Sequence, residues 1–225
     1  MTVRSDKAPR RRAKQNRAKH SIDRILAAAA ERLARGGAAA VTTTALAADA
    51  GLAVGSLYQY FADRDAVLLA LHRRRMAALA ETLAADLAML PADAPWTVTL
   101  DHLVDHLAAA VVEEPGFVAL MRYVASRRGD QDPVMVIGPL EQPIAVALRR
   151  VLPALDEARF ALVLRVSAAI LAGLTDLALS QDDLKWRGGV LFELRAALKG
   201  YLARYAVPGT NAAEPVRARG SRRKR

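Results

Sequence analysis

Residues 42–61, TTTALAADAGLAVGSLYQYF, constrain this chain more than any other stretch. Two short helical patterns, 43–50 and 54–61, flank the tripeptide Gly51-Leu52-Ala53. Thr42 is a good N-cap for the first, because its hydroxyl can accept an orphan backbone N–H. Leu46, Ala47 and Ala50 fall on one apolar face. Gly51 stands where the first helix must stop and the chain must turn, a place that rewards tolerance of positive φ. In the second pattern the i, i+4 spacing puts Leu57 and Phe61 on one face, with Tyr58 beside them. Val54, Gly55, Ser56, Gln59 and Tyr60 then point elsewhere. Two short helices around a glycine turn, the second with a small and polar outer face, read as a helix-turn-helix. The second helix of such a unit lies in the DNA major groove. Spacing alone also fits an αα-hairpin inside a helical bundle.

Composition favours the same fold class. Of the 225 residues 53% are hydrophobic but only 5% aromatic, so the apolar mass is Ala, Leu and Val. Ala and Leu are strong helix formers, and an all-α fold is expected. The length allows a proper core, as one large or two small domains. Cysteine is absent, which excludes disulfides, thiolate metal sites and cysteine nucleophiles. No apolar h-region follows the basic start, so no signal peptide is expected. The most apolar run, 160–179, contains Arg165 and Asp176 and is expected to fall short of the ~20 apolar residues that span a bilayer. A cytoplasmic protein is the expectation.

The net charge of +10 sits at the ends. Residues 1–20 hold Arg4, Lys7, Arg10, Arg11, Arg12, Lys14, Arg17 and Lys19 against Asp6 alone. Residues 211–225 hold six Lys/Arg against Glu214 alone, so the middle of the chain carries more acids than bases. Such runs are often solvated ends. Beside a helix-turn-helix, the first is expected to be a flexible arm that meets phosphates or the adjacent minor groove, through Arg10, Arg11, Arg12, Arg17 and Lys19. The second, 208–225, is expected to be a disordered tail.

The residues AGLAVGSLYQYFADRDAVLLA resemble the signature of tetracycline-repressor-like (TetR/AcrR) transcriptional regulators. That signature is an Ala-Gly turn, a Gly-Ser/Thr-Leu-Tyr helix, a Tyr-Phe pair, then Asn/Asp-Lys/Arg-Glu/Asp and a hydrophobic run. The match spans about residues 22–71 without a gap. The rest agrees only in length and helical character, as the family's C-terminal domains diverge widely. The resemblance implies an N-terminal three-helix DNA-binding module (21–66) joined through a fourth helix to a helical ligand-binding and dimerisation domain (67–207). It assigns Thr42, Thr44, Tyr60 and Arg64 to phosphates, roles that suit hydroxyls, helix N-termini and cations. Base reading falls to Val54, Ser56 and Gln59, with Gly55 permitting close approach; a Gln can pair bidentately with adenine. One departure stands out: the family usually places Ser where this chain has Ala53, and Ala cannot cap a helix.

Along the chain, a first helix is predicted from Ile22, capped by Ser21, to about Arg35. Asp63 is expected to cap a fourth helix that runs to about Leu90, with Asp65 in its first turn. The second region reads as helices over 97–113, 117–126, 144–152, 156–180 and 184–205, with a loop over 129–143 of the kind that gates pockets. The last two helices, from each of two subunits, would make a four-helix interface. An intramolecular hairpin would show the same stripes, so a homodimer rests on the resemblance and on the logic of paired half-sites. Trp96, His102, His106, Phe117, Met121 and Tyr123 are candidates for an effector pocket; Met135 and Trp186 are further core or pocket candidates. His102 and His106 are spaced i, i+4, but with no H-E-x-x-H pattern they read as the polar edge of an amphipathic helix, and no metal or cofactor is expected. With no nucleophile–base pair or phosphate-cradling loop, the chain does not read as an enzyme. The expected function is a homodimeric repressor released from a palindromic operator by a small molecule. The other classes are an architectural DNA binder without effector and a helical small-molecule binding protein.

Overall fold

A computed structural model describes residues 7–91, 94–113, 116–127 and 138–206, with side chains placed from residue 15 onward and not over 110–113. Among them every regular element is a helix. The order is α1 (Lys7–Gly36), a 3-10 turn (Ala38–Ala40), α2 (Thr43–Asp49), α3 (Val54–Leu57), α4 (Arg64–Met89), α5 (Trp96–Glu113), α6 (Phe117–Ser126), a 3-10 turn (Gly138–Leu140), α7 (Glu141–Val151), α8 (Glu157–Leu179) and α9 (Leu184–Ala206).

The basic start is not a flexible arm from residue 7 onward: α1 begins at Lys7, not after Ser21. Residues 10–20 contain no Gly and no second Pro, and Arg, Lys, Ala and Gln hold helix well. Pro9 falls in the first turn, where its missing N–H costs nothing. At 30 residues α1 is a rod of ~45 Å. Residues 1–6 and the basic tail 208–225 lie outside the described residues.

Two apolar clusters form the interior. Ile25, Leu33, Val41, Leu46, Leu57, Phe61, Val67, Leu68 and Leu71 make the first, with Leu120 and Tyr123 of α6. The second gathers Met76, Leu83 and Leu87 of α4, Leu103 and Val104 of α5, Phe117 of α6, and the inner faces of α7, α8 and α9. Two helices thus belong to both clusters. α4 gives its first two turns to one and the remainder to the other; α6 gives opposite faces. The first cluster therefore extends past residue 66.

Asp63 caps α4 by accepting from the Ala66 amide at 2.7 Å, and Asp156 caps α8 by accepting from Arg159 at 2.8 Å. α7 starts three residues before the expected position, because Pro143 is tolerated inside a first helical turn. Residues 129–137 of the anticipated gating loop, and Met135 in it, lie outside the described residues. α8 corrects a second expectation: over its 23 residues it is long and apolar enough to cross a bilayer. In this fold the apolarity has another use, since Phe160, Val163, Leu164, Ala168, Leu171, Ala178 and Leu179 are buried within the protein. Arg165 is exposed on that helix and Asp176 is half-buried.

Candidate nucleic-acid interface and effector cavity

The helix-turn-helix is fixed from behind and from both ends. Arg32 of α1 makes a two-pronged ion pair with Asp49 of α2, at 2.6 and 3.0 Å. Thr42 caps α2 by accepting from the Ala45 amide at 3.2 Å. The helix ends in a Schellman motif: the Leu52 amide donates to the Ala47 carbonyl and the Gly51 amide to Ala48, with Gly51 at φ 59°. A Cβ on Gly51 would also meet the Arg24 guanidinium.

The recognition segment is shorter than the pattern 54–61 suggests. α3 holds a single α-turn, Val54–Leu57, and residues 58–60 continue as turns closed by Tyr60 N–H to Leu57 O and Phe61 N–H to Leu57 O. Ala53 leaves its start without a side-chain cap. Leu57 and Phe61 are buried beneath it. Facing outward are Val54, Gly55 and Gln59, with Ser56 half-buried. Thr42 and Thr44 are exposed beside them.

Tyr58 is a correction. The spacing sets it at the flank of the Leu57/Phe61 face and not among the outward residues; it is 52% exposed, and its hydroxyl lies 3.3 Å from Thr43 Oγ1, tying the recognition segment to α2. The signal was available, because Tyr58 lies i+4 from the outward Val54. Tyr60, by contrast, is half-buried against the first cluster. Arg64 is drawn inward: its guanidinium reaches Asp65 at 3.4 Å and the Ala38 carbonyl at 3.5 Å, and sits 5.9 Å from the Tyr123 ring. Of the basic residues, Arg17 and Lys19 are exposed on α1. Arg10, Arg11 and Arg12 lie within that helix, their side chains outside the described set.

The pocket candidates do not converge. Phe117 and Met121 line a cavity of about 70 Å³ with Met76 and Leu79 of α4, Leu107 of α5, Leu140, the stretch Leu171–Leu179 of α8, and Leu191 and Leu194 of α9. Trp96 instead borders a separate crevice of about 10 Å³ with Leu148 and Leu202. His102 is exposed. His106 is clasped by α4, with Thr82 Oγ1 at 2.9 Å, the Leu79 carbonyl at 3.2 Å and Asp86 at 2.9 Å. Asp101 pairs with Lys199 and Arg195, and Asp105 with Arg195. Among the described residues no group of three or more ligating side chains could hold a metal. Trp186 donates to the Leu177 carbonyl at 3.0 Å. The cavity also takes in Thr175, which nothing in the sequence singled out, and Asp176, the acid within an apolar helix, for which lining a pocket was one of three open readings.

Tyr123 faces the other way, into a charged junction between α6 and α4. Its ring lies between the guanidiniums of Arg64 and Arg127, the latter at 5.1 Å, and Arg127 pairs with Asp65 at 2.7 Å. The neighbouring Tyr123 hydroxyl first, then the Arg127 charge, hold Asp65 below the ordinary carboxylate range. Burial first, then Asp65, push the Tyr123 phenol above its usual value, so it remains neutral.

A short, exposed recognition segment held by a glycine turn over a buried Leu/Phe face defines a helix-turn-helix DNA-binding protein. A family profile described as bacterial regulatory proteins, tetR family, matches residues 25–71, and one described as tetracyclin repressor-like, C-terminal domain, matches 95–202. The chain belongs to the TetR family of transcriptional regulators. Among solved structures it is similar to a TetR-family regulator from Streptomyces coelicolor, at 25% identity and TM-score 0.64, over 83% of this chain and 98% of that one. A TetR-family regulator from Pectobacterium atrosepticum aligns at 20% identity and TM-score 0.64, over 85% and 97%. FadR from Bacillus subtilis, solved with stearoyl-CoA, aligns at 17% identity and TM-score 0.52, over 81% and 96%. No curated protein matches the chain.

Proposed function

We propose that this regulator is a cytoplasmic homodimeric repressor that leaves a palindromic operator when a small molecule enters the α4–α6–α8 cavity. The observation that carries the reading is the divided surface of residues 54–61: Leu57 and Phe61 are sealed inside while Val54, Gly55, Tyr58 and Gln59 stand free. The Tyr58 hydroxyl ties this segment to Thr43 of α2, and the outward side chains suit a groove. Gln59, Ser56 and Val54 read bases; Thr42, Thr44, Tyr58 and Tyr60 meet phosphates, as do Arg17 and Lys19 with the Arg10–Arg12 run of α1. Arg64 joins them only by giving up part of its grip on Asp65 and Ala38.

Dimerisation is supported by the outer faces of α8 and α9. Leu162 and Leu177 on one and Leu184 and Phe192 on the other are exposed, the last two at 68% and 69%. Ala169, Gly173, Gly188, Gly189 and Ala196 beside them are exposed too, leaving room for another helix to approach. Paired subunits would set two recognition segments ~34 Å apart, one per major groove. Release follows from the shared membership of α6: a molecule that wedges Phe117 and Met121 from α8 moves the helix whose other face holds α4 through Tyr123 and Arg127.

Selection of bound duplex from a random pool tests this. The expected product is an inverted repeat. Gln59→Ala is expected to relax preference at one base pair per half-site, by ~1–3 kcal/mol, while Tyr58→Phe weakens all sites alike. Equal affinity for every duplex would leave an architectural binder in its place.

A further inference from the structure

The cavity on α6 has a chemical bias. Of the fourteen described residues that line it twelve are apolar, and the two polar ones, Thr175 and Asp176, are consecutive in the last turns of α8. Among the described residues, no Lys, Arg or His lines it. The cation on α6, Arg122, is already engaged at the end of α8: it donates to the Leu179 carbonyl and pairs with Asp182 at 3.0 Å. A carboxylate therefore meets the cavity near the C-terminal end of α8, whose last carbonyl is already held by Arg122. An anion placed there would face a like charge in an apolar surround, which strongly disfavours it. A cation or strong donor would gain a charge-assisted hydrogen bond. Asp176 already has an interaction within the protein, so an incoming group adds to that partner or takes its place.

Size narrows the class further. A cavity of ~150 Å³ is known to hold benzene, about twice the volume found here. Met76 and Met121 are the adaptable members of the wall. A compact ligand therefore enters only as these side chains, or the helices that carry them, give way. The cleft between α4, α5 and α7, about 180 Å³ and carrying Arg150, would suit an acid better. It borders neither α6 nor α8, and Arg150 already donates to the Leu87 carbonyl at 3.2 Å.

We propose that the effector is a compact hydrophobic amine, bound as its cation with its nitrogen on Asp176 and Thr175 and its apolar part against Met76, Phe117 and Met121. The proposal rests on the reading of this cavity as the effector site. It is tested with the full chain and three probes of one shape, 4-ethylbenzylamine, 4-ethylbenzyl alcohol and 4-ethylbenzoate, using calorimetry for affinity and anisotropy of a selected operator duplex for release. The amine is expected to bind roughly tenfold more tightly than the alcohol, the scale of one hydrogen bond to a charged group, and the benzoate not to bind. In Asp176→Asn the amine and alcohol become equal. Should that variant not fold, Thr175→Val serves instead: amine and alcohol both weaken, and the amine stays ahead of the benzoate. A benzoate bound as tightly as the amine, an unchanged ranking in Asp176→Asn, or no binding of any probe at millimolar concentration overturns the assignment. Amine binding without release of DNA leaves the assignment standing and refutes the effector reading instead.

Discussion

The two apolar clusters are built to different tolerances. In the N-terminal module Ile25, Leu46, Leu57, Val67 and Leu68 are fully buried, and short elements are pinned by caps, a Schellman turn and the Arg32–Asp49 pair. The second cluster is larger, but it encloses a cavity and leaves Leu162, Leu177, Leu184 and Phe192 bare. A surface that reads DNA must hold its side chains still, so the packing beneath it is closed. A region that answers a ligand must have two arrangements of similar energy, so its packing is left open on one side. The contrast is breakable by substitution.

The largest effect is expected beneath the recognition segment. Leu57→Ala removes a fully buried side chain from a packed site and is expected to cost about 2–5 kcal/mol in denaturant unfolding, together with operator binding. Met121→Ala, in a wall that already borders empty space, is expected to cost no more than about 2 kcal/mol. Equal losses would mean that the two clusters are packed alike.

Gly116 comes next. It precedes α6 at φ 84°, and a Cβ there would stand 2.8 Å from the Ala34 backbone nitrogen, where α6 docks on the end of α1. Backbone cannot swing aside as a side chain can. Gly116→Ala is expected to cost roughly 1–3 kcal/mol in thermal unfolding and to loosen α6 from the module. Gly55→Ala makes the opposite case. Its added Cβ meets nothing within 4 Å, so stability is expected to hold or rise by up to ~1 kcal/mol while operator affinity falls. A Gly55→Ala protein that binds its operator unchanged would remove Gly55 from the interface.

The tight module was legible in sequence and the open region was not, for one physical reason. Caps, a glycine at positive φ and i, i+4 apolar pairs are local signals, so Thr42, Gly51, Asp63 and the Leu57/Phe61 face could be placed from neighbours in the chain. The errors inside the module arose where local rules compete. α3 keeps one α-turn where the spacing offered two, and α1 gained four turns because nothing in residues 10–20 breaks a helix. The cavity is assembled from α4, α5, α6, α8 and α9, whose meeting no short spacing encodes. Hence Phe117 and Met121, one turn apart on α6, were found together, while Trp96, His102, His106 and Tyr123 were scattered to other places.

The smallest effect separates the two clusters at their joint. Asp65 is held below the ordinary carboxylate range first by the Tyr123 hydroxyl and then by Arg127 and Arg64. A carboxyl group depressed in the folded state stabilises it fully above the unfolded value of ~3.9, and that contribution is lost as pH falls through the folded value. Asp65→Asn keeps the shape but removes the charge that Arg127 grips. Its thermal midpoint is therefore expected below that of the parent at pH 6, with the gap closing as pH drops beneath about 4. The side chains involved are one-third to one-half exposed, so screening keeps the gap small. The functional consequence is the sharper readout: with the α4–α6 joint weakened, the same ligand should release less operator at pH 7. Unchanged release, with the expected pH profile of stability, would show that α6 holds α4 by the burial of Leu120 and Tyr123 and not by charge.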